Sequence, residues 1–158
     1  MRVEHVRPFA EASVEVCKSL LGIDPQRGEL AVRPVLETAR QINAVCSIGG
    51  GLAGFVMLSM SARTANQIAG RLIGSPVVTF DQMAASAVAE FGNMIGGRSL
   101  TLLADAGVEC TLSPPTVIRG TQAPIQGAPG PAILIPLLLG PFGTVDVVVS
   151  LASIAQAA

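Results

Sequence analysis

Apolar residues at Ala10, Val14, Cys17 and Leu21 recur at helical spacing, with Glu11, Glu15 and Lys18 on the other side. The pattern predicts an amphipathic helix over about 8–21, stopped by Gly22. Runs rich in β-branched and aliphatic residues then predict strands over about 28–36, 40–47 and 52–59, with Gly49-Gly50-Gly51 as a tight hairpin connection between the last two. Ser61 reads as the cap of a second helix over about 62–73, ended by Gly74. Thr79 and Gln82 have capping-box spacing at the start of a third helix, which runs to about Ala104. The adjacent Gly96 and Gly97 mark a candidate break in it, since each glycine costs a helix interior about 1 kcal/mol relative to alanine. Strands return at about 108–112, 116–119, 132–139 and 144–151, and the Pro- and Gly-rich stretch 121–130 reads as a loop or hairpin tip.

The order is thus helix, strands, helix, then helix, strands. The two halves look alike, each a long helix followed by about three strands. This predicts an α/β (α+β) fold built from a pseudo-duplicated helix–strands unit. Its strands would form one mixed or antiparallel sheet of about six strands with long helices packed on it. At 158 residues, one domain spanning 1–158 is expected.

Composition narrows the function. Half the chain is apolar but Trp and Tyr are absent, so the core is aliphatic. Charged residues make up 13% and the net charge is -1, which leaves no basic footprint for nucleic acid. A membrane span needs roughly 20 apolar residues in a row, and the best run, 131–140, is about half that and holds two prolines. Charges at Arg2, Glu4, Arg7, Glu11, Glu15 and Lys18 exclude a signal-peptide core, so a cytoplasmic protein is expected. Cys17, Cys46 and Cys110 are far apart and odd in number, which speaks for small buried hydrophobes over a zinc site or a disulfide framework.

The third helix carries the candidate chemistry. At 100° per residue, Ala84, Val88, Phe91 and Ile95 form an apolar stripe, and Ser86, Glu90, Asn93 and Gly97 a polar stripe almost opposite. Between them runs a seam of Ala85, Ala89, Gly92 and Gly96, expected to leave the polar pair unobstructed for a close-fitting partner. Glu90 and Asn93, three residues apart, project side by side. Elsewhere the inventory is thin. His5 is the lone histidine, the glycine run at 49–51 lacks the ending of a phosphate loop, and no nucleophile-elbow or dinucleotide motif occurs. Asp81 and Asp105 flank the helix and form no metal cluster. An amide is neither base nor nucleophile at neutral pH, but it can orient a water, and phosphoryl transfer needs little beyond positioning and charge neutralisation. On spacing alone, a solvated helix face is the commoner explanation of Glu-x-x-Asn. The glycines beside the pair make poor sense in a helix that is only structural.

At these residues the chain resembles the CheC/CheX/FliY family of bacterial chemotaxis phosphatases, the CheX branch most closely. The family pattern is Asp or Ser, three residues, Glu, two residues, Asn, and a proline a little over twenty residues on. Here it is met by Ser86, Glu90, Asn93 and, within Pro114-Pro115, by Pro115 after 21 intervening residues. Also family-like are Arg7-Pro8-Phe9-Ala10-Glu11-Ala12, Leu20-Leu21-Gly22-Ile23, Gly54-Phe55-Val56-Met57-Leu58-Ser59 leading to Thr64-Ala65, and Ser113-Pro114-Pro115-Thr116-Val117-Ile118. The first helix offers only Glu15-x-x-Lys18, so a single site is expected, as in CheX and unlike CheC.

The resemblance implies a CheC-like fold and hydrolysis of the phospho-aspartate of a CheY-like response regulator. Asn93 would orient the attacking water and Glu90 would pair with the regulator's lysine. Ser86 and Pro115 would border the contact, joined by Gly97 on the same stripe. No cofactor or metal is implied for this chain, the Mg2+ being the regulator's. A homodimer is implied, and a CheD-like protein is a further candidate partner, with neither nucleic acid nor membrane involved. The alternative is a non-catalytic regulator-binding or flagellar-switch-associated module. A weaker third idea is an apolar ligand held in the aliphatic interior.

Overall fold

The computed structural model describes residues 1–154. The elements are α1 (Val3–Leu21), β1 (Gln26–Arg27), β2 (Ala31–Arg33), β3 (Ile42–Gly50), β4 (Leu52–Met60), α2 (Ala62–Ile73), α3 (Gln82–Asp105), β5 (Cys110–Leu112), β6 (Thr116–Arg119), β7 (Ala132–Leu138), a 3-10 turn (Gly140–Phe142) and β8 (Thr144–Ser153). The eight strands form one sheet in which every pairing is antiparallel. β1 and β2 share one edge by pairing with β7, and β5 and β6 share the other by pairing with β3. The sheet is therefore six positions wide although eight strands compose it, in line with the expected six or so.

The strand order also exposes the duplication. From edge to edge it runs β1/β2, β7, β8, β4, β3, β5/β6. The order is symmetric about the β4–β8 pair, with each half lending its leading short strands to the far edge of the other half. α1 and α3 occupy equivalent places and pack against each other.

Alternation along the strands explains the layers. Ile42, Ala44, Cys46 and Ile48 of β3 join Val56, Leu58 and Met60 of β4 and Val145, Val147 and Val149 of β8 in the main core with all three helices. The alternate residues Val45, Met57, Val148 and Leu134 point to the opposite face. The stretch 121–130, expected as a loop or hairpin tip, covers that second face. Ile125 and Ala128 pack there, Thr38 exchanges backbone hydrogen bonds with Ala123 and Gln122, and Glu37 bridges Pro124. Leu36 and Ile125 supply the hydrophobic reason.

A buried polar knot on this second face ties four strands. Asn43 Nδ2 donates to the carbonyls of Arg40, Ile118 and Gly120 at 2.9, 3.1 and 3.2 Å. Ser59 Oγ donates to Asn43 Oδ1 at 2.8 Å and accepts from the Arg40 N–H at 2.9 Å. Arg40 Nε reaches Asp146 Oδ2 at 2.8 Å, so the buried Asp146 carboxylate is paired.

Several boundaries differ from expectation. α1 begins at Val3, five residues before Pro8, which lies inside the helix. The carbonyl deprived of a donor is that of Glu4, in the exposed first turn, while buried Val6 and Phe9 hold the segment down. Of the strand expected over 28–36, only Ala31–Arg33 is found, as β2, and β1 lies just before it at Gln26–Arg27. Between the two, Gly28, Glu29 and Leu30 oppose only Ile135 and Pro136 of β7, and Pro136 has no N–H to offer. At α3 the cap is not the Thr79/Gln82 pair: Asp81 accepts from the Ala84 N–H at 2.9 Å. The predicted α2, with Ser61 as cap and Gly74 in the left-handed conformation behind it, is found as expected.

Gly54 sits in mid-strand with φ +155°, and an added Cβ would lie 1.9 Å from the Ser150 carbonyl oxygen. The atoms it would strike are all β8 backbone, which no side-chain rotation can move aside. Gly54→Ala is expected to destabilise the fold by about 3 kcal/mol or more, read as a fall in the urea midpoint at unchanged slope.

Burial raises the Cys17 thiol from 9.0 to about 12 and the Cys46 thiol to about 11. Folding therefore favours the protonated thiols, and only the unfolded chain loses these protons between pH 9 and 11. Stability is expected to fall as pH rises above about 9 in thermal melts, and less steeply in a Cys17→Ala, Cys46→Ala chain. Equal slopes would contradict this.

Candidate functional site

α3 is held at its start and along its inner face. Arg119 of β6 places its guanidinium 4.8 Å over the Phe80 ring and donates to the Phe80 carbonyl at 2.7 Å, fixing the residue that precedes the cap. Ala84, Val88, Phe91 and Ile95 are fully buried, as the spacing predicts, and Ser99 Oγ donates back to the Ile95 carbonyl at 2.6 Å.

The glycine seam does a different job from the one expected. Gly92 and Gly96 face the chain's own sheet, not a partner. A Cβ on Gly92 would lie 3.2 Å from Ala44 Cβ, and one on Gly96 would lie 2.8 Å from Leu112 Cδ2. The missing side chains let α3 lie close on β3 and β5. The same contact explains why the helix continues unbroken through Gly96 and Gly97 to Asp105. Packing over β5 offsets the poor helix propensity of glycine.

Closing one face opens the other. Ser86, Glu90 and Gly97 are exposed and Asn93 is half-buried. Among the described residues, neither the Glu90 carboxylate nor the Asn93 carboxamide has a hydrogen bond or ion pair within the chain. The Asn93 amide is not among the buried unpaired groups, so it meets solvent. The structure thus brings Ser86, Glu90, Asn93 and Gly97 onto one outward face of one helix. Pro115 lies apart in sequence, half-buried in the connection between β5 and β6, two strands that pack against α3. Ser113 anchors that connection: its Oγ accepts from the Ser47 N–H at 2.7 Å, and its N–H donates to the Ser47 carbonyl at 2.9 Å. No hydrogen bond joins Pro115 to the acid–amide pair.

The equivalent positions on α1 are spent inside the chain. Glu15 takes Arg98 Nε of α3 at 2.6 Å and Lys18 pairs with Asp24 at 3.3 Å. The Glu15 contact holds the Arg98 guanidinium in its charged form.

Glu90 and Asn93 face outward from α3. An open hollow of about 660 Å³ lies between α2 and the turn at Pro141–Phe142, lined by Asn66, Arg71 and Pro76, away from Glu90 and Asn93. His5, on the first turn of α1, lines a separate depression with Leu52 and Leu151. Among the described residues there is no group of three or more His, Cys, Asp or Glu able to hold a metal ion, and no helix long and apolar enough to cross a membrane.

A helix-covered antiparallel sheet of duplicated halves that presents Glu-x-x-Asn on its outer helix defines a CheC-like protein. The comparisons narrow this to a family. The model of "Chemotaxis phosphatase CheX" matches residues 42–137. The CheY-P phosphatase CheX of Thermotoga maritima is 30% identical over 113 residues, covering 71% of this chain and 73% of the relative. The crystal structure of the chemotaxis protein CheX from Desulfovibrio desulfuricans superposes with TM-score 0.82 at 25% identity, over 95% of this chain and all of that one. The CheX–CheY complex with BeF3 and magnesium from Borrelia burgdorferi shares the fold, with TM-score 0.76 at 21% identity over 96% of this chain and 100% of that one. This chain belongs to the CheX family of chemotaxis phosphatases.

Gly97 is distinct from its neighbours in the seam. It is exposed, helical, and a Cβ on it would meet nothing within 4 Å. Gly97→Ala is therefore expected to stabilise the fold by about 0.5–1 kcal/mol in urea titration. A destabilised variant would show that the backbone there needs glycine.

Proposed function

We propose that the chain hydrolyses the phospho-aspartate of a CheY-like response regulator, with Asn93 orienting the attacking water and Glu90 docking on a regulator cation. The observation that carries this is the unpartnered acid–amide pair on the outward face of α3, in a chain of this family.

The chemistry follows from what these groups can do. In the reaction a water oxygen bonds to phosphorus, the bond between phosphorus and the aspartyl oxygen breaks, and inorganic phosphate and a free carboxylate result. A carboxylate is a weakly basic leaving group and requires no general acid. A loose phosphoryl transition state asks little proton removal from the water at the moment of attack. What remains is placement. Asn93 Oδ1 accepts from the water and Nδ2 donates to a phosphoryl oxygen, holding the nucleophile in line. Glu90, one turn back, pairs with a cation in the regulator's site and fixes where the amide lands. Magnesium enters as part of the regulator's own site.

Ser86 and Gly97 border the contact, with Pro115 supporting it from the β5–β6 connection. An exposed helical glycine with room for a methyl is a standing cost to stability, and close approach of a partner backbone accounts for keeping it. A cytoplasmic location and the homodimer implied by the family resemblance belong to the same reading. Of the relatives, the Thermotoga maritima protein is named as a CheY-P phosphatase and the Borrelia burgdorferi protein was solved with CheY, which supports the choice of substrate class.

The test is the lifetime of a phosphorylated receiver domain with the native chain, Asn93→Ala and Glu90→Ala. Asn93→Ala is expected to lower kcat about 10²-fold or more with modest change in KM. Glu90→Ala is expected to raise KM, with an effect that weakens as salt rises. Equal turnover by all three would end the phosphatase assignment, and binding without any shortening of the phosphoryl lifetime would make the chain a docking module.

A further inference from the structure

The outward face of α3 holds more than its polar pair. Met83 is 64% exposed and Met94 39% exposed, both among the large apolar side chains left open to solvent. At 100° per residue they lie roughly 20° and 40° around the helix from Glu90, on the same face. Along the axis Met83 is about 10 Å before Glu90 and Met94 about 6 Å after it. The methionines therefore bracket the acid–amide pair. The stretch is also poor in charge: from Gln82 to Gly97, Glu90 is the only charged residue. A helix face evolved only for water ordinarily interleaves charges of both signs. Charge depletion with exposed methionine is the composition of an interface centre, where each charge must be stripped of water and paired.

We infer that Met83 and Met94 are the apolar anchors of the docking surface, gripping the rim of a phosphorylated receiver domain on either side of its active site. They add apolar affinity to the charged contact made by Glu90, while Asn93 places the attacking water. The inference rests on the phosphatase reading and adds to it the residues that determine capture. Charge selects the occupant. A second copy of this chain packed about a two-fold on this face would bring Glu90 toward its own counterpart, and the nearest cation on the helix, Arg98, is already held by Glu15 at 2.6 Å. A receiver domain supplies the cation that the phosphoryl group already requires. Flexible thioethers on either side adapt to side chains of different shape on the partner. Methionine on both sides thus fits a phosphatase that accepts more than one receiver.

The experiment measures both turnover and binding. Binding is titrated against a receiver domain activated with beryllofluoride and magnesium, and kcat and KM are measured with the phosphorylated form. The proteins are the native chain, Met83→Gln/Met94→Gln, Met83→Leu/Met94→Leu and Asn93→Ala. The glutamine pair keeps length and helix propensity while removing apolar contact. It is expected to raise Kd and KM about tenfold and leave kcat within about twofold, with the leucine pair restoring native values. Asn93→Ala is expected to show the opposite split, with lost kcat and retained binding. Unchanged Kd and KM in the glutamine pair, beside a native chain that turns over, would overturn the anchors and leave the phosphatase intact. A native chain that binds but does not turn over sinks the phosphatase reading, and the same titration still decides the anchors. No binding by the native chain overturns both. A shift of oligomeric state in the glutamine pair would assign this face to a second copy and overturn the inference.

Discussion

The contact between α3 and the sheet through Gly92 and Gly96 is the constraint on which the rest depends. Two absent side chains let the helix settle onto Ala44 and Leu112, and that close approach fixes its rotation. With the rotation fixed, Ala84, Val88, Phe91 and Ile95 fill the core. The residues at the opposite angle, Glu90 and Asn93, have no choice but to face outward. A side chain at either glycine would lift or turn the helix and move the pair off its line. The site is placed by a packing contact on the far side of its own helix.

The duplication shows how the two long helices differ. Each half contributes a long helix to the same layer, and the two helices lie side by side. On α1 the corresponding carboxylate is engaged by Arg98 and the neighbouring cation by Asp24. The first half thereby turns an outward pair into a brace that holds α3 in register. The second face of the sheet is closed by the stretch 121–130 and stiffened by the Arg40–Asn43–Ser59–Asp146 knot, so the sheet is a rigid base under the exposed helix.

Much of this was legible in the sequence, for reasons that differ by element. Helical periodicity is strong where one face is buried, so the inner stripe of α3 and the whole of α2 follow from spacing. The outward direction of Ser86, Glu90 and Gly97 follows from the same periodicity. Local pattern says nothing of what a seam faces: Ala85, Ala89, Gly92 and Gly96 look the same against a partner as against β3 and β5, and only the register of the sheet decides. Pro136 could not be known to oppose Gly28, so the interruption that leaves β2 as only Ala31–Arg33 was hidden. Ile125 and Leu36 gave a hint that the Pro- and Gly-rich stretch covers apolar surface, but its partner face is formed by strands far away in sequence. The exposure of Met83 and Met94 is not legible from sequence, because Met on a helix ordinarily signals core.

The most direct measurement of the central claim is a crystal structure of this chain with a receiver domain carrying beryllofluoride in place of its phosphoryl group. The account predicts α3 inserted at the receiver's active site. The Asn93 carboxamide should lie within about 3–3.5 Å of the fluorides or of a water in line with them, and Glu90 on a receiver cation. A receiver seated on any other face of the chain, or docked with Asn93 pointing away from the beryllofluoride, would contradict it.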